Sequence, residues 1–575
     1  MKQFITVLLA FAPMALFAQT DEDQTELKKT IQVYSEYKPQ ISDASRISVN
    51  PKVYDTLNLE VNLKYDVKTS PLSTDYHIIP LKAVSVKGDK LQELYKGEIV
   101  AGLGNYWNSL FAFRYTTERS RLKQAGVELY HYGSAGKVKL YNDEKIPAGF
   151  STDYVKLYLK RFYDKFTLSA SLQPQYRSVL RYGLNTDYYD SLEYVEKKDV
   201  RRNVFGVAGN VGIVANVEDE DDVRYGADVD YDLTYVNPKN MENLIGLSGN
   251  MEKIFDRFTA GFNADIQLSA LNFQPIDSSL SKIQGVGIIA PYVKVGAYAW
   301  DLTVGVNASP IFGGENAFKI FPDIAFAYTL PKLKMIPYLN FYGARVSHNS
   351  MKDMLTINPY TADNMMIRPT VNVMGFEVGV NGRIQKLITY NAQFSVDAYR
   401  DMYFWRAQRT TIPSKMSTLD EMNTVYTVEY DDASCMKLHG DMGFLFRKAN
   451  CSLDVNYYLW QPKELSKPWY KPVVDLSLSP RFTIIHPTSN KTKLTVEPKV
   501  YYMLYQAESH GDGDVLNRSI FDFCVETNYH YNSVLDIFLD LNNICGINNE
   551  RYLDYPTQRF NFMVGLSYSF AGHKE

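Results

Sequence analysis

The sequence predicts an all-β fold, a transmembrane antiparallel β-barrel of about 22 strands with a short N-terminal periplasmic extension. Three observations predict it. The chain of 575 residues carries 14% aromatic residues, with 44 Tyr and 30 Phe, yet 22% charged residues and a slightly negative mean hydropathy. From about residue 95 its apolar residues recur with period two in short runs. The breaks between those runs alternate between short and long. A barrel that turns one row of each strand to lipid and the other to a wet lumen reconciles all three, because its hydropathy signal is weak in any one segment.

The amino terminus sets the compartment. Lys2 is followed by the apolar run 4–17 and by Ala18, ahead of the polar Gln19, Thr20 and Asp21. Charge, apolar run and small residue in that order read as a signal peptide over residues 1–18. The run is too short for the ~20 apolar residues of a bilayer-spanning helix. The first cysteine after it is Cys435, so no lipid-anchored cysteine is expected there. The expected location is the outer membrane.

Residues 19–94 differ from the rest of the chain. They begin polar and acidic, hold Pro39, Pro51, Pro71 and Pro80, and show only broken apolar periodicity. This segment reads as the periplasmic extension, part of it tucked into the barrel as a partial plug or contacting a periplasmic or outer-membrane protein partner. The barrel is expected over residues 95–570, with a tail at 571–575.

Within the barrel the alternation is explicit. Val155, Leu157 and Leu159 oppose Tyr154, Lys156, Tyr158 and Lys160. Phe166, Leu168, Ala170 and Leu172 oppose Thr167, Ser169, Ser171 and Gln173, and Leu535, Ile537, Leu539 and Leu541 oppose Asp536, Asp540 and Asn542. Short turns are expected near 163–165, 218–221, 254–257, 298–301, 329–332, 384–387, 447–450 and 531–533. Long loops are expected at 134–151, 181–198, 271–284, 349–370, 403–432, 508–515 and 546–556. Short periplasmic turns and long extracellular loops give that sorting. Trp107, Trp300, Trp405, Trp460 and Trp469 fall near expected strand ends, where interfacial aromatic girdles sit.

The last run, 560–570, places Phe560, Phe562, Val564, Leu566, Tyr568 and Phe570 on one face, with Asn561, Gly565, Ser567 and Ser569 among the residues of the other. With the strand 535–543 and the loop containing Arg551, Tyr552, Leu553, Asp554, Tyr555 and Pro556, it resembles the barrel end of TonB-dependent receptors. That resemblance implies a 22-stranded barrel, uptake of a solute and a plug domain in the lumen. Residues 19–94 are too few for a complete plug. Lys29–Thr30–Ile31–Gln32–Val33 resembles the short apolar box presented to TonB. The resemblance covers the barrel and not the energised gate.

Two roles are consistent with these features. The first is a receptor-like transporter or channel for an unidentified solute, and the alternative is a non-transporting barrel subunit or anchor of an outer-membrane assembly. No enzyme is expected. The histidines at 77, 131, 348, 439, 486, 510, 530 and 573 are scattered, with no G-x-S-x-G elbow or H-E-x-x-H helix. A Ser/His/Asp site could be assembled in space from distant strands, but the sequence gives no reason to expect one. No catalytic, cofactor-binding or metal-binding residue is assigned, no cofactor is expected, and substrate-binding residues are not legible. His510–Gly511–Asp512–Gly513–Asp514 and the run Glu218–Asp219–Glu220–Asp221–Asp222 read as solvated turns. Cys435 and Cys451, flanking one expected strand at opposite ends, and Cys524 and Cys545, on strands that are not neighbours of these, read as unpaired. With a net charge of −4 and no basic block, nucleic acid is not a partner. The surrounding partner is outer-membrane lipid.

Overall fold

The computed structural model describes residues 95–570 apart from 118–119, 121, 141–142, 184–200, 218–221, 237–239, 273–282, 314–316, 364, 409–422, 447, 486–491 and 509–514. The signal peptide, the residues 19–94, the box at 29–33 and the tail 571–575 lie outside the described residues, as do His510–Asp514 and Glu218–Asp221.

The strands form one 22-stranded sheet in which each pairs with its sequence neighbours. All these pairings are antiparallel. The first strand, Gly97–Gly104, pairs with the last, Asn561–Phe570, from Gly97 opposite Phe570 to Gly104 opposite Met563. Closure is what the bilayer demands, since an open edge would face lipid with unpartnered N–H and C=O groups. An even strand count places Gly97 and Phe570 at the same end. That end carries the short turns, including 163–165, 255–258, 298–299, 385–387 and 446–448, and is the periplasmic one. The opposite end carries the long connections 135–149, 181–200, 348–369, 409–424, 463–471 and 543–560.

The wall shows the alternation read from the sequence. Val155, Leu157, Leu159, Leu168, Leu172, Ile537, Phe562, Val564, Leu566 and Tyr568 are all exposed outward. The lumen face carries charge ladders: Arg114 binds Glu98 at 2.9 Å and Glu128 at 3.0 Å, and Lys499 binds Glu526 at 2.6 Å. Because the side-chain period is two, a one-residue slip would turn every such charge to lipid, so the pattern fixes the register.

The closing seam depends on a small residue. A Cβ on Gly565 would stand 2.1 Å from the Phe538 ring and 2.5 Å from the carbonyl of Ala101 on the neighbouring first strand. Gly565→Val should therefore overpack the seam by at least about 1–3 kcal/mol. The expected result is a reduced folded, heat-modifiable band on gels with the level of synthesised protein unchanged.

Several sequence expectations need correction. The expected loop 403–432 is shorter than read, because the two flanking strands, Ile388–Gln408 and Val425–Leu445, take in 403–408 and 425–432 and leave 409–424 between them. Phe404, Trp405, Tyr426 and Val428 are all buried, so no exposed row marks the period there. The loop 134–151 contains a small hairpin, Lys137–Lys139 with Lys145–Pro147, and 349–370 contains a two-turn helix, Met351–Ile357. Trp107 is exposed at a turn, but Trp405 and Trp469 are buried among packed loops and are not girdle residues. Cys435 and Cys451 sit on successive strands rather than on one, opposite Trp460 and Phe444. Cys545 is in a loop, and all four cysteines are free thiols.

Candidate functional site

The described parts of the long loops do not stand out into solvent. Residues from most of them join one buried apolar cluster with the upper ends of the longest strands: Val138, Ile146, Tyr182, Met354, Ile367, Phe404, Tyr426, Trp469, Tyr470, Tyr505, Leu553 and Tyr555 among others. Tyrosine dominates its centre.

The helix Met351–Ile357 shows how the cluster is built. Seven residues are too few to hold a helix in water. Ser350 caps it, its Oγ accepting the N–H of Asp353 at 3.1 Å, and Met351, Met354 and Leu355 are buried. Glu242, on a strand distant in sequence, accepts the Met351 N–H at 2.6 Å. The same carboxylate takes a 2.7 Å bond from Ser269 Oγ and lies 3.2 Å from His348 Nε2. Each member of that buried set helps to place the loop.

The tyrosines pack ring on ring. Tyr360 and Tyr555 stack with centroids 3.6 Å apart, and Tyr182 meets Tyr555 edge-on at 5.2 Å. Tyr426 lies 5.4 Å from Tyr470 and 5.2 Å from Tyr552, both edge-on. Their hydroxyls are tied to backbone: Tyr182 to the carbonyl of Pro556 at 2.9 Å, Tyr555 to that of Thr424 at 2.8 Å, and Tyr552 to that of Ile357 at 2.6 Å. Burial holds the loop phenols of Tyr182, Tyr470, Tyr552 and Tyr555 well above the usual tyrosine range. They stay neutral donors at any physiological pH. Cations lie on ring faces beside them: Lys471 Nζ is 3.7 Å from the Tyr403 centroid, Arg551 is 4.8 Å from that of Tyr505, and Arg406 is 4.5 Å from that of Trp469.

The cluster spans the mouth. Thr424 donates its backbone N–H to the carbonyl of Gly183 at 2.7 Å. Gly183 follows the fifth strand round the barrel and Thr424 precedes the sixteenth, a separation of 16 − 5 = 11 in a ring of 22. Loops from opposite walls therefore touch. Arg202 likewise reaches Thr361 and Asp363 of another loop, at 2.9 Å and 2.6 Å.

No protein-family model and no curated protein sequence matches the chain. Solved structures do. The FrpB iron transporter from Neisseria meningitidis aligns over 84% of this chain and 82% of its own, with a TM-score of 0.61 at 10% identity. The siderophore receptor PirA from Acinetobacter baumannii aligns over 84% and 81%, with 0.60 at 9%. The copper transporter OprC aligns over 83% and 80%, with 0.58 at 8%. The chain has the 22-stranded barrel fold of TonB-dependent outer-membrane receptors. At such identity the likeness is one of fold, and function has to come from this chain's own site. An outer-membrane barrel is what its outward apolar wall also requires.

Among the described residues no group of three metal-ligating side chains could hold a metal ion. The sequence reading missed the cap. The signal that could have found it is the tyrosine content of loops expected to be polar: Tyr182, Tyr360, Tyr552 and Tyr555 all fall in them.

Proposed function

We propose that the protein is an outer-membrane transporter or channel for a solute, with passage through the barrel controlled at the outer side by the tyrosine-rich cap. The contact between Gly183 and Thr424 across half the ring carries this reading. A barrel of 22 strands encloses a lumen wide enough to need closing, and a merely anchoring barrel has no use for loops that meet over its mouth. Residues 19–94 would act at the other end, as a partial plug or as the contact with a periplasmic or outer-membrane partner. The lumen's role is passage, which asks for no chemistry from its walls.

Single-channel conductance in planar bilayers tests the reading. The full-length protein and a variant lacking residues 19–94 should both conduct poorly while the cap is intact. Adding Tyr555→Ala to the shortened variant should raise conductance severalfold. Large conductance of the full-length protein would make it an open pore and overturn the gate. Silence of all three, with the barrel folded, would overturn transport and favour the alternative of a barrel subunit in an assembly.

A further inference from the structure

We propose that Ser109, His131 and Asp153 form a serine-hydrolase site on the outer wall of the barrel, one that cleaves acyl esters of membrane lipids. Ser109 Oγ lies 2.9 Å from His131 Nε2. His131 Nδ1 lies 2.5 Å from Asp153 Oδ1, and the other oxygen of Asp153 accepts a 3.0 Å bond from Ser151 Oγ. Hydroxyl on one ring nitrogen, carboxylate on the other and a further group fixing the carboxylate are the arrangement that nucleophilic acyl transfer requires. Of the four described histidines only His131 has it. His348 meets Glu242 with no partner on Nδ1, His439 sits among Asn456, Asp441 and Asp454, and His530 meets Asp536.

The register shows which way the three point. They lie on the adjacent strands Ser109–Thr116, Lys123–Ser134 and Phe150–Phe162. Arg114, Glu128 and Tyr154 of these strands bind one another on the lumen face. Ser109, His131 and Asp153 differ from them by odd steps along their strands and so face lipid. One cross-strand row runs Phe111, His131, Asp153, Tyr176, Phe205, Tyr235. All but two of its members are exposed aromatics, and those two are the histidine and the aspartate, each with 39% of its side chain exposed.

Depth supports the same assignment. Asp153 stands 162 − 153 = 9 steps above the periplasmic end of its strand at Phe162, which at the usual tilt is roughly the 25 Å height of the apolar band. The row is therefore the outer interface, where lipid ester groups lie and where polar side chains on the outer wall cost little. Gly133, directly opposite Ser109, puts no side chain between the hydroxyl and an incoming carbonyl. Leu103 pairs with Ser109 from the other side and is 70% exposed, and Trp107 in the preceding turn is 80% exposed. Together with Phe111 they offer an apolar surface for an acyl chain. Tyr106 and Trp107 both hold positive φ, and the Tyr106 carbonyl accepts Ser134 Oγ at 3.0 Å, which pins that strained turn beside the serine.

The chemistry balances without a further reagent. Ser109 Oγ forms a bond to the ester carbonyl carbon while His131 Nε2 takes the hydroxyl proton. The carbon–oxygen bond to the leaving alcohol then breaks as the imidazolium returns that proton to it. Water repeats the sequence on the acyl-serine, releasing a fatty acid and restoring the hydroxyl. Asp153 Oδ1, against His131 Nδ1, holds the imidazole in its tautomer.

The test uses full-length protein in phosphatidylethanolamine–phosphatidylglycerol vesicles, with fatty-acid release and fluorophosphonate labelling as readouts and heat-modifiable migration as the check on folding. Release above protein-free vesicles and a label mapped to Ser109 are expected. Both should fall at least about a thousandfold in folded Ser109→Ala and His131→Gln variants. Folded wild-type protein that neither releases fatty acid nor takes the label would overturn the site, as would release that survives Ser109→Ala. Turnover of a soluble butyrate ester with none of the vesicles would overturn the lipid assignment. Conductance is independent of all these outcomes, so a failure here leaves the transport reading standing.

Discussion

Tyr555→Ala is expected to unfasten the cap while leaving the barrel wall folded. The ring is almost fully buried, stacked on Tyr360 at 3.6 Å and edge-on to Tyr182 at 5.2 Å. It also fills the space beside Gly183, where a Cβ would stand 2.3 Å from it. Removing it takes away apolar burial and leaves a cavity between loops from three parts of the ring, a cost of about 3–5 kcal/mol by analogy with other large aromatic truncations. The carbonyl of Thr424 also loses its 2.8 Å phenol donor. Tyr555→Phe removes only that bond and should cost about 1 kcal/mol. Protease cleavage within 543–560 on intact cells reads the difference. Tyr555→Ala should be cut readily and Tyr555→Phe should resemble wild type. Equal resistance in both variants would mean that the loops hold without their ring stack, and the gate would lose its fastening.

Where lipid lies decides which strands were legible in the sequence. Along 154–160, 166–173 and 560–570 one row of each strand faces hydrocarbon and the other the lumen, so chemistry alternates residue by residue and the strands can be read directly. Above the membrane that contrast ends. Phe404 and Trp405 are neighbours in sequence and both are buried, one strand end being covered by loops as well as by its own lumen. Period two vanishes there, and the upper ends of those two strands, 403–408 and 425–432, read as part of a loop. The cap was hidden for a related reason: its apolar residues are tyrosines and methionines scattered among Asn, Asp and Pro, with no period to collect them. Ser109, His131 and Asp153 were out of reach in another way. They are brought together by strand register, Phe111 opposite His131 and His131 opposite Asp153, and register is a property of the paired sheet that no short motif records.

The second large effect is expected at Arg202. Its guanidinium is buried and gives a 3.1 Å bond to the carbonyl of Pro359, bonds of 2.9 Å and 2.5 Å to the hydroxyl and carbonyl of Thr361, and one of 2.6 Å to Asp363. Most of its bonds thus go to neutral oxygens of the loop, which no other side chain in that set can satisfy. Arg202→Met should cost about 3–5 kcal/mol, the range for breaking a buried charged network from one side. Asp363→Asn should cost far less, about 1 kcal/mol, because its carboxylate is partly exposed and an amide oxygen still accepts from the arginine. A double-mutant cycle separates the contributions. If the neutral acceptors hold the loop, the coupling between Arg202 and Asp363 will be a small part of the Arg202→Met effect, and hydrogen exchange over 351–367 will quicken in that variant alone. If the two single variants loosen the loop equally, the ion pair is the fastening. The cap would then be sensitive to ionic strength, which an aromatic seal on neutral tyrosines is not.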